Sequence, residues 1–284
     1  MEQKQNSKLV DALLLLLTIA PLALAILLKV LFTPDAPLED GVSISGALIY
    51  FTIPMPFQEW PITEAQINSW AVILSILGLC LYLTHGIKVI PDSKRQLVAE
   101  WIVDTVNKLV SGNMGQKFID FAPFVAGILG LSALSSLCSL LGLFAPTSDL
   151  NIVLGWAILV FILITHFKLK GGVWEYIKGF FSPIPLFAPL NIIGEFATPI
   201  SMSFRHYGNV MSGMVISTLI AYALRSLSKM LLGWLPGALG SVPFLQIGLP
   251  AVLSLYFDIF SGCMQAFIFA MLTMMFVSTA EPEE

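Results

Sequence analysis

Ser203-Phe204-Arg205-His206-Tyr207-Gly208-Asn209 sets an arginine inside a long apolar stretch, and that placement decides how the chain is read. The nearest other lysine or arginine residues are Lys178 and Arg225. Twenty helical residues measure about 30 Å, so the guanidinium cannot snorkel past either end of the stretch. A central arginine costs roughly 3 kcal/mol on insertion scales and more than ~10 kcal/mol in simulations. Such a residue points to an ion path or a carboxylate partner. Satisfaction by local carbonyls together with Ser201 or Ser203 is the purely structural alternative.

Composition places this stretch in a membrane. With 57% hydrophobic and 11% charged residues and a mean hydropathy of +0.86, the 284-residue chain has more apolar surface than one water-soluble core could hide. The net charge of −4 is spread over short loops, and with no basic patch a nucleic-acid partner is not expected. Cys80, Cys138 and Cys263 stand alone in apolar segments without the paired spacing of a metal or redox site. No H-E-x-x-H, G-x-S-x-G or Walker A pattern occurs, so neither enzymatic chemistry nor a cofactor is expected of this chain by itself.

The hydropathy pattern predicts an all-α polytopic membrane protein with about six membrane helices. Leu13 to Phe32 is read as a retained anchor, because the one A-x-A-like site, Ala23-Leu24-Ala25, lies inside the apolar run. Trp70 to Tyr82, Phe121 to Leu143 and Ile152 to Phe167 follow, and then two long regions, Phe180 to Leu224 and Phe244 to Ser278. The last, as one helix, would measure roughly 50 Å against a hydrocarbon core of about 30 Å, so these two helices must tilt strongly or lie partly along the membrane. Ser93 to Ser111 is amphipathic, with Leu97, Trp101 and Ile102 opposite Glu100, Asp104 and Lys108. It reads as an interfacial helix that either docks partner subunits or simply joins two spans. The expected organisation is residues 1–66 as N-terminal anchor and outer loop, and 67–284 as an ion-channel domain.

Charge orients the spans. Thr33 to Ser69 holds no lysine or arginine but carries Asp35, Glu39, Asp40, Glu59 and Glu64, whereas the next connection holds Lys88, Lys94, Arg95, Lys108 and Lys117. The positive-inside rule puts the first loop outside and both chain termini in the cytoplasm. Lys168, Lys170 and Lys178 return to the cytoplasmic side; only Arg225 and Lys229 break the alternation.

On a helix, Arg205, Asn209 and Ser212 form one polar stripe, with Gly208 and Gly213 nearby to let another helix approach. Asp258, Ser261, Gly262 and Gln265 form a second. The two are expected to face each other, with Gln265 as a partner for Arg205 or as a plain helix-to-helix hydrogen bonder. Glu195 lies ten residues before Arg205, roughly 15 Å along a helix, too far for a direct pair and better suited to lining a channel. Asp258 precedes Gln265 by seven residues, which on a regular helix puts both on one face. It is expected to attract the coupling ion, against the alternative of a protonated group making one structural hydrogen bond. His206, about 100° around the helix from Arg205, lines the path or packs structurally. His85 and His166 read as interfacial residues.

Pro199-Ile200-Ser201-Met202-Ser203-Phe204-Arg205-His206-Tyr207-Gly208-Asn209 and Gln265-Ala266-Phe267-Ile268-Phe269 together resemble the two signature motifs of subunit a in the membrane sector of F-type ATP synthases. Similarity runs from about Ile62 to the C-terminus and includes Ile62-Thr63-Glu64, Trp70, Pro91, Glu100 and Ala145-Pro146-Thr147-Ser148-Asp149-Leu150. The resemblance implies that Arg205 is the stator arginine, that Gln265 faces it, and that Asn209, Glu195 and Asp258 fall on polar positions of the family. Departures are His206 in place of the usual leucine, Met214 where an acid or histidine is common, and Asn191 where many members carry glutamate. Ser201, Ser203, Ser212, Asn191 and His206 are further candidates for lining the path.

What the resemblance implies is a non-catalytic, multi-pass subunit of a bacterial plasma membrane. Its expected partners are a rotating c-ring, peripheral-stalk b subunits and, through the complex, a catalytic head. Two half-channels would pass protons or sodium ions to and from ring carboxylates. The rival class is an ion-coupled secondary transporter, which the absence of an internal repeat disfavours.

Overall fold

A computed structural model describes residues 2–33, 46–56, 58–91, 93–182, 184–234, 243–246 and 248–281, with side chains from Leu9 onward. Asp35, Glu39, Asp40 and the acidic residues Glu283 and Glu284 lie outside the described residues. Helix α1 spans Glu2–Phe32 and packs along α2, Glu64–Thr84. Between them a short antiparallel hairpin, β1 Ile49–Ile53 with β2 Trp60–Thr63, closes one end of the molecule. Hydropathy had given no sign of it, since nine strand residues carry no helical period. Thr63 then starts α2 with a capping box, its hydroxyl accepting from the Gln66 amide while the Gln66 side chain accepts from the Thr63 amide.

Helix α3, Lys94–Met114, is the expected amphipathic helix, and its two halves behave differently. Val110 and Met114 enter the core, whereas Leu97, Val98, Trp101 and Ile102 face away from the protein, as an interfacial helix requires. A 3-10 turn, Gln116–Phe121, leads to α4, Ala122–Leu137. Two further 3-10 turns, Cys138–Leu141 and Pro146–Ser148, precede α5, Leu150–Lys170, which is capped by Asp149. The short α6, Val173–Phe180, precedes α7, Ala188–Leu232, a single helix of 45 residues. At 1.5 Å per residue α7 is roughly 68 Å long, more than twice a hydrocarbon core, so tilt is obligatory. The chain returns through α8, Leu249–Ser254, a π-helical segment, Leu255–Ser261, and α9, Gly262–Ala280. Among the described residues six segments are long and apolar enough to cross a membrane, each overlapping a span expected from hydropathy.

Two ends follow from this connectivity. At the hairpin end, buried Glu64 pairs with Lys29 at 3.0 Å and accepts from the Phe144 amide, while Asn68 donates to the Phe144 carbonyl at 2.8 Å. At the opposite end Arg95 holds Asp11 at 2.7 Å and Lys117 holds Glu281 at 2.8 Å. The core between them is built from α3, α4, α5, α7 and α9, with Val125, Val153, Val160, Phe269 and Met274 fully enclosed. Helices α4 and α9 approach closely at Gly262, where an added Cβ would lie 2.8 Å from the Ser136 Cβ.

Candidate functional site

The middle of α7 has two chemically different faces. Met202, Ser203 and His206 are buried, while Ser201, Phe204, Arg205, Gly208, Asn209 and Ser212 are exposed. The periodicity of 3.6 sets this division, since 201, 205, 208, 209 and 212 fall on one side of the helix. Among the described residues Arg205 makes no hydrogen bond or ion pair. Ser203 turns its hydroxyl to the Ile200 carbonyl at 2.9 Å and Ser212 to the Asn209 carbonyl at 3.0 Å. Local serines therefore do not satisfy the guanidinium.

His206, next in sequence, points the opposite way. It is fully buried, with Nε2 3.2 Å from the Ser132 hydroxyl on α4 and its ring edge-on to Phe269 and Trp156, at centroid separations of 5.5 and 6.3 Å. Its Nδ1 has no partner. The structure thus gives His206 a packing environment rather than a place on the Arg205 face.

The two polar stripes meet at one point: the Asn209 amide donates to the Ser261 hydroxyl at 2.9 Å. Gln265 is buried and makes no hydrogen bond with Arg205 among the described residues. The second stripe does not run straight. The π-helical segment carries i→i+5 turns, so the regular spacing that aligned Asp258 with Gln265 does not hold across it. Ser261 meets α7, while Asp258 lines a small cavity with Ser136, Ser139, Leu143, Ala145, Ser148, Val210, Met214, Phe257 and Gly262. That cavity measures about 50 Å³.

Glu195 has a partner that sequence spacing could not show. Lys168, at the end of α5, reaches its two carboxylate oxygens at 2.7 and 2.8 Å, and the Tyr176 hydroxyl donates to it at 3.4 Å. Burial and the neighbouring Glu195 carboxylate push the Tyr176 phenol above its ordinary value. The group lines a cavity of about 470 Å³ shared by α5, α6, α7 and the end of α9, with Asn191 on its wall. The Asn191 amide donates to the Phe180 and Ser182 carbonyls, fixing the chain where it turns into α7.

Along α7 the order is therefore a polar cavity at Glu195, the outward-facing Arg205, and a second cavity at Met214 and Asp258. Ten and nine residues separate them, roughly 15 and 14 Å along the axis. Among the described residues no cluster of His, Cys, Asp and Glu could hold a metal ion.

Comparison with known proteins adds the family. The model of the ATP synthase A chain matches residues 67–278. This chain belongs to that family. It is 34% identical over 227 residues to ATP synthase subunit a of Bacillus pumilus (strain SAFR-032), covering 75% of this chain and 90% of the relative. It is 32% identical over 217 residues to ATP synthase subunit a of Bacillus subtilis (strain 168), with 72% and 85% covered. It is 28% identical over 266 residues to the sodium ion specific ATP synthase subunit a of Propionigenium modestum, with 82% and 84% covered. The chain is thus a multi-pass membrane member of the ATP synthase A chain family.

Proposed function

We infer that this chain is the ion-channel stator of an ATP synthase membrane sector, passing ions between two half-channels and a rotating ring. The observation that carries the reading is Arg205, unpaired among the described residues and facing outward, between a polar cavity at Glu195 and a small cavity at Met214 and Asp258. A guanidinium so placed needs a carboxylate from another subunit, because an unpaired charge at mid-membrane is costly. A ring carboxylate is neutral or ion-loaded while it faces lipid, and it ionises beside Arg205 because an opposite charge lowers a carboxyl pKa. Arg205 then keeps the two cavities from joining directly, so an ion crosses only by riding the ring. Each unit charge gains about 2.3 kcal/mol per 100 mV of membrane potential.

The chain itself performs no bond chemistry in this scheme. Its partners are the ring, the peripheral stalk and, through them, the catalytic head. We place the hairpin end outside and the lysine-rich end, with Lys168, Lys170 and Lys178, in the cytoplasm of a bacterial cell, following the distribution of basic residues. Cysteines at Ser201 and Ser212 in the assembled complex test the reading. Both should cross-link to the small ring-forming subunit, and a set of outward positions on α7 that never reaches it would overturn the assignment.

A further inference from the structure

Phe144 lies between the 3-10 turns Cys138–Leu141 and Pro146–Ser148, and among the described residues side chains, not backbone, bond its peptide groups. Its amide donates to Glu64 Oε1 at 3.0 Å, and its carbonyl accepts from the Asn68 side-chain amide at 2.8 Å. Glu64 and Asn68 are four residues apart at the start of α2, which puts them on one face and lets both reach the same residue. They are 2% and 0% exposed, and polar groups so enclosed are costly unless bonded. Lys29, in the last turn of α1, neutralises Glu64 with its Nζ 3.0 Å from the same oxygen. Asn68 leaves its Oδ1 without a partner, so its bond to Phe144 is held against a cost.

The neighbours of Phe144 form one wall of the cavity beside Asp258. Leu143, Ala145 and Ser148 line it, the Ser148 amide donates to the Ala145 carbonyl at 2.9 Å, and the Thr147 hydroxyl lies 3.1 Å from Ser136 Oγ on α4. The wall is thus tied to α4 through Thr147 and to α1 and α2 through Phe144. We propose that Glu64 and Asn68 are positioning residues for ion entry from the hairpin side: they fix Phe144 so that this loop keeps the width of the cavity, and Lys29 holds Glu64 in place. This rests on the stator reading and gives α1 and α2 a part in it. Lys29 and Glu64 both precede residues 67–278, the region matched to the family, so the clamp joins the N-terminal helix to the ion path. The cavity's size makes the wall matter. A water needs about 10–15 Å³, so in a cavity of about 50 Å³ a wall displaced by about 1 Å adds or removes one water-sized place.

The test uses the whole complex in liposomes, with ATP synthesis driven by a fixed electrical potential and the ion concentration varied on each side of the membrane in turn. Sodium is titrated at constant pH and protons at constant sodium, and the arm in which the parent complex saturates is the one read. Glu64→Leu and Asn68→Leu should each raise the half-saturating concentration on the hairpin side about fivefold, the order of one lost hydrogen bond, and leave that on the opposite side unchanged. Lys29→Met combined with Glu64→Gln removes both charges but keeps an oxygen for the Phe144 amide, and should return half-saturation to within about twofold of the parent. A merely structural part would lower the maximal rate and leave half-saturation where it was. Where Glu64→Leu reduces assembly, Asn68→Leu decides. Unchanged half-saturation in the assembled variants, or equal shifts from both sides, would overturn the proposal. The stator reading is checked separately in the same liposomes: a complex that loses coupling on Arg205→Ala but whose half-saturation is indifferent to Glu64 and Asn68 defeats only the positioning role.

Discussion

His206→Leu separates packing from ion transfer next to the arginine. His206 spends one nitrogen on Ser132 and leaves Nδ1 without a partner in a fully buried setting. Replacing it by leucine removes that unsatisfied nitrogen, a gain of about 1–3 kcal/mol, but leaves the buried Ser132 hydroxyl unbonded at a comparable cost. The single substitution should therefore stay within about 1 kcal/mol of the parent. Ser132→Ala alone leaves both imidazole nitrogens unbonded and should destabilise by about 1–3 kcal/mol. His206→Leu with Ser132→Ala removes every unsatisfied group of the pair and should be at least as stable as the parent, so the two substitutions are strongly non-additive. The assay is a double-mutant cycle on purified complexes, following release of this subunit on heating, with ATP-driven ion pumping measured on the same samples. Additive effects would refute the hydrogen-bonded pair. Loss of pumping by assembled His206→Leu complexes would refute the packing role and put His206 on the ion path.

Other expectations follow from particular contacts. Lys168→Met strands the Glu195 carboxylate and should slow pumping, whereas adding Glu195→Gln to it should recover assembly; a cycle showing no coupling between the two in native-gel assembly would remove the pair from the account. Tyr50 is buried, and burial together with the Glu64 carboxylate pushes its phenol up to about 12 from 10.0. A raised phenol pKa means that the folded state holds its proton more tightly, so this stabilisation is complete below pH 10.0 and lost as pH rises toward about 12. Tyr50→Phe should abolish that alkaline loosening of the hairpin, read by limited proteolysis between Ile53 and Trp60. An alanine Cβ at Gly78 would lie 2.8 Å from the Thr18 nitrogen and 2.9 Å from the Leu17 carbonyl carbon, backbone atoms that cannot rotate away. Gly78→Ala should therefore loosen α1 from α2 at a cost of about 1–3 kcal/mol, seen as faster disulfide trapping failure between paired cysteines on the two helices.

The spans were legible because each is an apolar run of membrane length, and the stretch around Arg205 was legible because a charge there has no cheap explanation. The division of α7 into two faces also follows from a period of 3.6, which separates Arg205 from His206 before any contact is known. The rest depended on information that period and composition do not contain. Lys168 and Glu195 lie 27 residues apart on different helices, and only the packing of α5 on α7 brings them together. The π-helical turn at Leu255–Ser261 has no marker in the hydropathy of its residues, so the regular spacing misaligned Asp258 with Gln265. The hydroxyls at 132, 135, 136 and 139 were a readable signal, since spacings of three and four put polar atoms on one face of an apolar helix. Their meaning needed the opposing residues: His206 for Ser132 and Thr147 for Ser136.

The central claim is that Arg205 separates two ion pathways and receives its partner from the ring. ATP-driven ion pumping by reconstituted complexes carrying Arg205→Ala measures this most directly, with assembly confirmed in the same preparation. Arg205→Ala complexes should assemble but not pump, and Arg205→Lys complexes should be severely impaired because an ammonium on a flexible stem does not reproduce the planar fork. Pumping by Arg205→Ala at the rate of the parent would contradict it.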